Sequence, residues 1–393
     1  MKLVVFGLTI SSSWGNGHAT LWRGLCRALA DRGHSVTFFE HDAPYYSAHR
    51  DTVDPAGCDL RLYSEWAGIR AEALTLLHDA DVGMVTSFCP DARDASALLL
   101  ASKVPVTAYY DMDTPITLDA LAHGERPPYV PLEGLADYDV VFSYSGGRSL
   151  DLVRSLLGAR NAAPLYGSVD PAIHRRVTER SDFRADLSYL GTYAANREEA
   201  LDRLFMAPAR RRPDARFVLA GSQYPADFKW ADSVRYLSHL PPADHSAFYS
   251  SSKWTLNITR GPMATLGHCP SGRLFEAAAC AAPILTDGWD GLDAFFAPGE
   301  ELLVASTSEH VLAALDMDDA QRERIGLRAR ERALDCHTAA VRAQELERAI
   351  EEAVSHRAGR AQHSAHSTAP STSHREHVAL RTAHRTSHIA RST

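Results

Sequence analysis

Buried strands alternate with amphipathic helices along most of this chain, and this alternation limits the fold more than any other feature of the sequence. The N-terminal segment KLVVFGLTI is apolar and β-branched, as expected of a buried strand, and Leu21, Leu25 and Leu29 then fall on one stripe of a helix. Gly33 ends that helix, and SVTFFE forms a second strand. A strand, helix and strand of this length form a βαβ unit with parallel strands and a right-handed crossover.

The alternation runs to about residue 165 and restarts at residue 187, which predicts two doubly wound α/β domains. Between them, NAAPLYGSVDPAIHRR contains two prolines and a glycine and is a candidate hinge. We therefore predict an N-terminal Rossmann-like domain over residues 1–168 and a C-terminal Rossmann-like domain over residues 169–355, which includes a closing amphipathic helix. Two such domains bind ligands between the carboxyl ends of their sheets.

The segment from residue 356 to 393 differs from the rest of the chain in composition and charge. The formal net charge is −8, but this segment holds six Arg and one Glu with no Lys or Asp, so it carries +5 and the preceding residues carry −13. Its Ser, Thr, His, Arg and Ala cannot bury enough surface to offset the ordering entropy, which predicts a disordered tail. A weak anionic tether and an inert extension both remain open for it. The acidic body argues against specific nucleic-acid binding.

Composition also disfavours membrane-spanning and secreted proteins. The longest apolar runs fall far short of the roughly 20 residues that a bilayer requires. The N-terminus has one Lys and a short apolar run, followed at once by serines and glycines, which predicts a first strand rather than a signal peptide. The six Cys form no C-x-x-C pair, so we expect free thiols in a cytoplasmic protein.

A loop containing Gly15-Asn16-Gly17 opens the first helix. Its free N–H groups and the helix dipole favour an anion or a polar sugar. A dinucleotide fingerprint with Glu40 as the ribose-binding acid fits poorly, because Thr20 occupies the third glycine position and the first glycine comes about seven residues after the strand. A loop that contacts substrate and a purely structural turn both remain open.

Asp111-Met112-Asp113 follows the predicted strand PVTAYY. An Asp-x-Asp pair at a strand end is able to hold Mg²⁺ or Mn²⁺ through hard oxygen ligands, but the same pair also serves as a turn and cap, or as a base in a cleft. We take His18 and Asp113, both expected at the carboxyl ends of strands, as the candidate catalytic residues. We predict no metal ion and no cofactor.

Residues 257–293, NITRGPMATLGHCPSGRLFEAAACAAPILTDGWDGLD, are the most informative stretch. A strand is expected to end at Arg260, and Ser271 suits the N-cap of a helix whose first turn contains Gly272 and Arg273. A helix start of this kind holds a diphosphate through backbone amides, the dipole and an arginine. Glu276 lies about one turn further along, where a carboxylate is able to bind two ribose hydroxyls or instead pair with a neighbouring Arg.

This stretch resembles the C-terminal domain of group 1 glycosyltransferases, and most closely their CgeB-like spore-maturation branch. The similar segments are SGRLFEAAACAAPILTD, WDGLD and FFAPGEE, together with YLGTY, VLAGS, NITR, YDMDTP and YGSVDP. The likeness covers roughly residues 1–350. It implies a GT-B fold, in which two Rossmann-like domains face a central cleft, with a nucleotide-diphosphate sugar held mainly by the C-terminal domain and an acceptor mainly by the N-terminal one.

The resemblance also assigns roles to individual residues. Glu276 matches the second Glu of the family's E-x7-E motif and is expected on the donor ribose, whereas the first Glu is replaced by His268, which we also expect in the donor site. Ser271 stands where the broader family often has Gly, so its N–H still faces the phosphates. Arguments from charge and position add Arg260, Arg273 and Arg197 to the donor site, where they would neutralise the leaving diphosphate.

We therefore predict a metal-independent glycosyltransferase that uses a nucleotide-sugar donor and an unidentified saccharide, lipid or protein acceptor. Two alternatives stay open: a GT-B-like sugar-nucleotide epimerase or hydrolase, and a catalytically silent coat or scaffold protein. The sequence indicates neither the oligomeric state nor whether the reaction retains or inverts the anomeric configuration.

Overall fold

The computed structural model describes residues 1–367, with side chains described through residue 357. Two parallel β-sheets lie in successive halves of this range. The strands of the first sheet are β1 (Lys2–Gly7), β2 (Ser35–His41), β3 (Cys58–Tyr63), β4 (Val82–Thr86), β5 (Val106–Asp111), β6 (Val140–Ser143) and β7 (Ala162–Pro164). The strands of the second sheet are β8 (Ala185–Leu190), β9 (Phe217–Ala220), β10 (Val234–Leu237), β11 (Ser252–Asn257), β12 (Ile284–Thr286) and β13 (Leu303–Val304).

Helices cover both faces of each sheet. Those that follow the strands of the first sheet are α1 (His18–Asp31), α2 (Pro44–Ser47), α3 (Trp66–Asp79), α4 (Ala92–Ala101), α5 (Thr114–Ala122) and α6 (Arg148–Leu157). The later helices are α7 (Glu198–Leu201) and α8 (Ala207–Arg211), joined by a π-helical turn (Asp202–Met206), then α9 (Pro242–Ser250), α10 (Gly261–Leu266), α11 (Gly272–Ala279), α12 (Ser308–Leu315), α13 (Asp319–Cys336) and α14 (Ala339–Ser367).

Both sheets have a doubly wound order, and every strand pair is parallel. The first sheet runs β3-β2-β1-β4-β5-β6-β7 and the second runs β10-β9-β8-β11-β12-β13, so each order reverses beside its first strand. Strands β4 and β5 are buried along their whole length, which explains why they appear in the sequence as continuous apolar runs rather than alternating ones. The predicted α/β fold with two Rossmann-like domains is confirmed.

Two passages of the chain connect the domains. Residues after β7 lead into the second domain, and the chain returns to the first domain before α14 begins. The two passages are joined by backbone hydrogen bonds, from the Val169 N–H to the His337 carbonyl (3.0 Å) and from the Ala339 N–H to the Val169 carbonyl (2.8 Å). The predicted hinge segment therefore begins as strand β7 and continues as one of these two crossing passages.

Helix α14 packs against the N-terminal domain, although we expected the closing helix to belong to the C-terminal one. Its buried side chains Ala343, Leu346 and Ile350 lie in the same hydrophobic core as Leu25 and Val106. Glu347 adds ion pairs to Arg32 (2.5 Å) and His34 (2.5 Å). The apolar stripe of α14 was visible in the sequence, but its partner was not, because the return passage carries the helix back across the domain boundary.

Helix α14 also extends further than the sequence suggested. We predicted a disordered tail from residue 356, whereas the helix continues through Ser367. Adding residues to a helix that is already packed requires no new nucleation, and Ala, Arg and Gln are good helix formers. The remainder of the predicted tail, residues 368–393, lies outside the described residues. Within the described range, no helix is both long enough and apolar enough to span a bilayer.

Candidate active site

A cleft of about 540 Å³ lies between the two sheets. Its walls are built by the loops that leave the carboxyl ends of strands in both domains, as expected for open parallel sheets. The loops after β1, β4, β5 and β6 contribute from the first domain, and those after β8, β9, β10 and β11 contribute from the second.

The cleft brings together nearly all of the residues singled out in the sequence. Those that line it are Gly15, Asn16, Gly17, His18, Asp113, Arg197, Arg260, Ser271, Gly272, Arg273 and Glu276.

Of the residues predicted to bind donor or acceptor or to act in catalysis, His268 does not line the cleft. Its ring lies against two glycines: a Cβ added to Gly147 would come within 2.7 Å of the ring, and one added to Gly291 within 2.5 Å. Its backbone joins the domains, since its carbonyl accepts from the Gly146 N–H at 3.0 Å and its N–H donates to the Asp290 carbonyl at 2.7 Å. His268 therefore packs in a contact between the two domains. This differs from the expectation that it contacts the donor.

Glu40 organises the loop that follows β1. This carboxylate is fully buried and accepts hydrogen bonds from the backbone N–H groups of Ile10 (2.7 Å) and Ser11 (3.0 Å). The hydroxyls of Thr9 (2.9 Å) and Ser11 (2.6 Å) donate to its other oxygen. A carboxylate with four such donors is committed to the loop, which removes the alternative of a ribose-binding acid in a dinucleotide site.

The Gly15-Asn16-Gly17 turn ends that loop and positions the start of α1. Gly15 has a φ of +67°, and a side chain there would meet the Tyr45 hydroxyl at 2.8 Å. A Cβ on Gly17 would meet nothing within 4 Å, so the backbone at the helix start borders open space. The Asn16 side chain caps this region by accepting from the Ala19 N–H (3.2 Å).

His18 and Asp113 form a pair across the floor of the first domain. Nε2 of His18, the first residue of α1, lies 2.7 Å from Oδ2 of Asp113, which follows β5. Nδ1 of His18 is buried without a hydrogen-bond partner. Because a carboxylate accepts hydrogen bonds only from a proton-bearing nitrogen, Nε2 of His18 donates to Oδ2 of Asp113. The two candidate catalytic residues, 95 positions apart in the chain, are thus one dyad.

Asp111 lies beside this dyad and is hydrogen-bonded to the backbone of Asp113. It is 1% exposed, its Oδ1 accepts from the Asp113 N–H at 3.0 Å, and its Oδ2 has no partner. Burial raises the pKa of Asp111 to about 7, and the nearby Asp113 charge adds to this effect. The two carboxylates of the Asp-x-Asp pair therefore differ, because one is buried in the fold and the other is bonded to an imidazole.

Three guanidinium groups from the second domain face the cleft without carboxylate partners among the described residues. Arg197 donates to the Thr192 carbonyl, Arg273 donates to Oδ1 of Asn257 (2.9 Å) and lies over the Tyr189 ring (5.3 Å). The Nε atoms of Arg197 and Arg260 are buried without partners.

The pKa of Arg197 shows that the other two arginines lie close to it. Burial lowers the pKa of Arg197, and the positive charges of Arg273 and Arg260 lower it further. Elsewhere on the second domain arginines commonly pair with acids, as Arg203 does with Glu199 at 3.0 Å. Three cations gathered without a counter-ion form a site for an anion.

Helix α11 begins beside these arginines. Ser271 is its N-cap, as predicted, and Gly272 and Arg273 open its first turn. The Ser271 side chain makes no capping hydrogen bond, so the first N–H groups of α11 have no acceptor within the helix. Those donors and the positive end of the helix dipole add to the charge of the guanidinium groups.

Glu276 lies on the same helix with an environment that the sequence did not reveal. Its carboxylate oxygens face Nε2 of His174 at 4.0 Å and Nδ1 of His245 at 3.8 Å, and no arginine pairs with it among residues 1–357. His174 is 5% exposed, and burial lowers the pKa of His245. The alternative of an Arg-paired Glu276 is therefore excluded.

Sequence reasoning missed four residues at this site: His174, His245, Asn257 and Phe88. His174 follows the YGSVDP segment and His245 lies in α9, so only the three-dimensional fold unites them with Glu276. Phe88, after β4, has a φ of +59° and lies edge-on to His18 at 6.0 Å. The available sequence signal for Phe88 was an aromatic residue shortly after the end of a buried strand.

Comparison with known proteins agrees with this geometry. Residues 197–348 match a protein family described as glycosyl transferase-like. The matched residues cover most of the C-terminal domain, which is therefore similar to group 1-like glycosyltransferases. This match assigns the chain to the glycosyltransferase enzymes. Among curated protein sequences, none matches the chain.

Solved structures similar to this one cover nearly the whole described range. Sucrose-phosphate synthase from Thermosynechococcus elongatus has a TM-score of 0.65 at 14% identity, over 89% of this chain and 98% of that one. An alpha-glucosyltransferase solved with UDP has a TM-score of 0.63 at 13% identity, over 89% and 100%. Anabaena Alr3699/HepE, in complex with UDP and glucose, has a TM-score of 0.61 at 11% identity, over 90% and 100%. These likenesses establish the GT-B fold of the chain.

Proposed function

We propose that this glycosyltransferase moves a sugar from a nucleoside diphosphate sugar to a hydroxyl group of an acceptor held by the N-terminal domain, without a metal ion. One observation carries the proposal. Three arginines, which have no carboxylate partners in the described part of the chain, and the start of α11 line one side of the cleft, and the His18–Asp113 dyad lines the other. This arrangement suits a reaction that expels a diphosphate and removes a proton.

The donor occupies the C-terminal side of the cleft. Its diphosphate lies against Arg197, Arg260 and Arg273 and the first N–H groups of α11, and Glu276 accepts hydrogen bonds from the ribose hydroxyls. A uridine nucleotide is the first candidate, because two structural neighbours were solved with UDP. The guanidinium groups stabilise the charge that develops on the diphosphate as the bond to the anomeric carbon breaks, which is an electrostatic form of catalysis.

The acceptor reacts on the N-terminal side. His18 takes the proton of the acceptor hydroxyl while the hydroxyl oxygen attacks the anomeric carbon, and Asp113 stabilises the resulting imidazolium through Nε2. The diphosphate leaves from the opposite face with the electron pair of the broken bond. A base of this kind is needed for direct displacement, so we propose inversion of the anomeric configuration.

The residues that would otherwise hold an ion support the proposal of metal independence. Asp111 is buried beneath the site, and Asp113 already accepts from His18. The charge that a divalent ion would supply to the diphosphate is supplied by the three guanidinium groups.

Two narrower assignments complete the proposal. The segments SGRLFEAAACAAPILTD and WDGLD support placement in the CgeB-like branch, and the net charge of −13 before residue 356 supports an acceptor other than nucleic acid. The six free cysteines support a reducing, cytoplasmic setting.

A panel of UDP-, GDP-, ADP- and dTDP-sugars tests the proposal, with release of nucleoside diphosphate as the readout. We expect slow release to water from one donor and a strong loss with Arg273→Ala, but not with the surface control Arg203→Ala. Epimerised sugar nucleotide would instead favour the epimerase alternative. Absence of binding and turnover with every donor would refute the transferase proposal and favour a scaffold role.

A further inference from the structure

Glu276 also belongs to a cluster with two histidines, and donor binding does not explain this cluster. Ligand-type atoms of His174, His245 and Glu276 all lie within 4.8 Å of one another. The individual separations are 4.0 Å from His174 Nε2 to Oε1 and 3.8 Å from His245 Nδ1 to Oε2. These distances are too long for hydrogen bonds, so the carboxylate and the two imidazoles surround a gap instead of contacting each other.

The tautomer of His245 identifies what the gap must receive. Nε2 of His245 lies 3.3 Å from the Leu240 carbonyl, an acceptor that requires a proton on that nitrogen. A neutral imidazole then presents a lone pair from Nδ1, and that lone pair faces a carboxylate oxygen of Glu276. Two acceptors that face one another need a positive group between them. A carbonyl on the distal nitrogen is also the usual outer partner of a metal-bound histidine.

His174 provides an independent observation. It is 5% exposed, and neither of its ring nitrogens has a hydrogen-bond partner within the described part of the chain. A buried polar atom without a partner costs about 1–3 kcal/mol. Nδ1 of His245 faces Glu276 and is also buried without a hydrogen-bond partner among the described residues. Three buried imidazole nitrogens of two histidines beside one carboxylate thus lack hydrogen-bond partners in the described range, which indicates a ligand at this point.

We propose that His174, His245 and Glu276 bind a divalent cation of the zinc class, and that this ion competes with the donor for Glu276. Two imidazoles and a carboxylate are a ligand set that Zn²⁺ prefers, with a further position left open. Tetrahedral bonds of about 2.1 Å place ligand atoms about 3.4 Å apart, so ligand atoms that now lie within 4.8 Å of one another need to draw together by at most about 1.4 Å.

The competition rests on the proposed function, in which Glu276 accepts from the donor ribose. His245 and Glu276 line the cleft, so an ion bound there sits at the edge of the donor site. One carboxylate cannot serve both ligands fully, and zinc is therefore an inhibitor here and has no part in the transfer step.

Titration calorimetry with Zn²⁺ on the full chain, first stripped of metal by a chelator, tests this inference. We expect one equivalent of zinc to be lost in both His174→Ala and His245→Ala, and retained in the exposed control His123→Ala. Histidines outside the site, including those in the C-terminal segment, are present in wild type and in both site variants and cancel in that comparison. Mg²⁺ should not replace zinc. Circular dichroism verifies that each variant is folded.

A second titration adds UDP and separates the two claims. We expect the apparent Kd for zinc at this site to rise about tenfold when UDP is present at about ten times its own Kd. Equal zinc stoichiometry in wild type and both site variants would overturn the metal site, and unchanged zinc affinity in the presence of bound UDP would overturn the competition. Zinc binding by a protein that binds no nucleoside diphosphate would instead count against the proposed function.

Discussion

Replacing Arg260 by alanine should weaken the binding of a nucleoside diphosphate while leaving the unliganded fold intact. The Arg260 guanidinium lies near that of Arg197, its Nε is buried without a partner, and no carboxylate pairs with it in the described residues. Removing it breaks no ion pair and relieves repulsion between like charges. We therefore expect the free energy of unfolding of the unliganded protein to stay within about 1 kcal/mol of wild type, or to rise.

The loss of binding follows from the contact that disappears. A hydrogen bond to a charged partner contributes about 1.5–3 kcal/mol, so the Kd for the diphosphate should rise roughly 10- to 150-fold. At a ligand concentration of about 100 times the wild-type Kd, ligand stabilises wild type by about 2.7 kcal/mol. A variant with a Kd raised about 100-fold gains only about 0.4 kcal/mol under the same conditions.

Thermal unfolding with and without nucleotide measures both quantities in one experiment. Arg203→Ala is the matched control, since it removes an arginine from the same domain at a surface pair with Glu199. The control should keep the full ligand-induced shift in Tm. A normal shift in Arg260→Ala, or a large drop in its stability without ligand, would show that Arg260 is structural and that the anion site is misplaced.

Further predictions concern the dyad, the buried acids and the first loop. His18→Ala should lower kcat by about 10²-fold or more with unchanged UDP affinity, and Asp113→Asn should lower kcat by about 10- to 100-fold. Equal losses of kcat and UDP affinity would contradict the role of His18 as the base. Because the pKa of Asp111 is raised to about 7, the folded protein retains a proton that the unfolded chain releases near pH 4. Stability should therefore fall between about pH 4 and 7, by at most about 4 kcal/mol, and denaturant titrations of Asp111→Asn should lack this slope. Glu40→Gln should lower the free energy of unfolding by about 3 kcal/mol because it sets an amide group against existing donors; near-wild-type stability would show that the loop does not depend on this carboxylate.

The fold was predictable because it depends on local patterns. Continuous apolar runs at β4 and β5 and the stripe of Leu25 and Leu29 on α1 depend only on neighbours along the chain. The partner of α14 was not predictable, since the return passage near Val169 and Ala339 places the helix on the other domain. Periodicity shows that a helix has a buried face but does not show what covers it.

The residues of the site also divide into those whose location was predictable from the sequence and those whose location was not. Ser271, Arg273 and Glu276 share one short stretch of sequence, so their common location followed from the start of a helix. The pairing of His18 with Asp113 needed the order of the sheet, which brings the ends of β1 and β5 to the same edge. His268 was misplaced because sequence position alone cannot show that its ring packs against two glycines at a domain contact.

The central claim is that the arginine-lined wall of the cleft binds the diphosphate of a sugar donor. Titration calorimetry of the metal-free protein with UDP, GDP, ADP and dTDP tests it most directly. The account predicts that one of them binds with a stoichiometry of one, and that its Kd rises at least tenfold in Arg260→Ala but not in Arg203→Ala. No binding by any of the four nucleotides, or equal affinity in both variants, would contradict it.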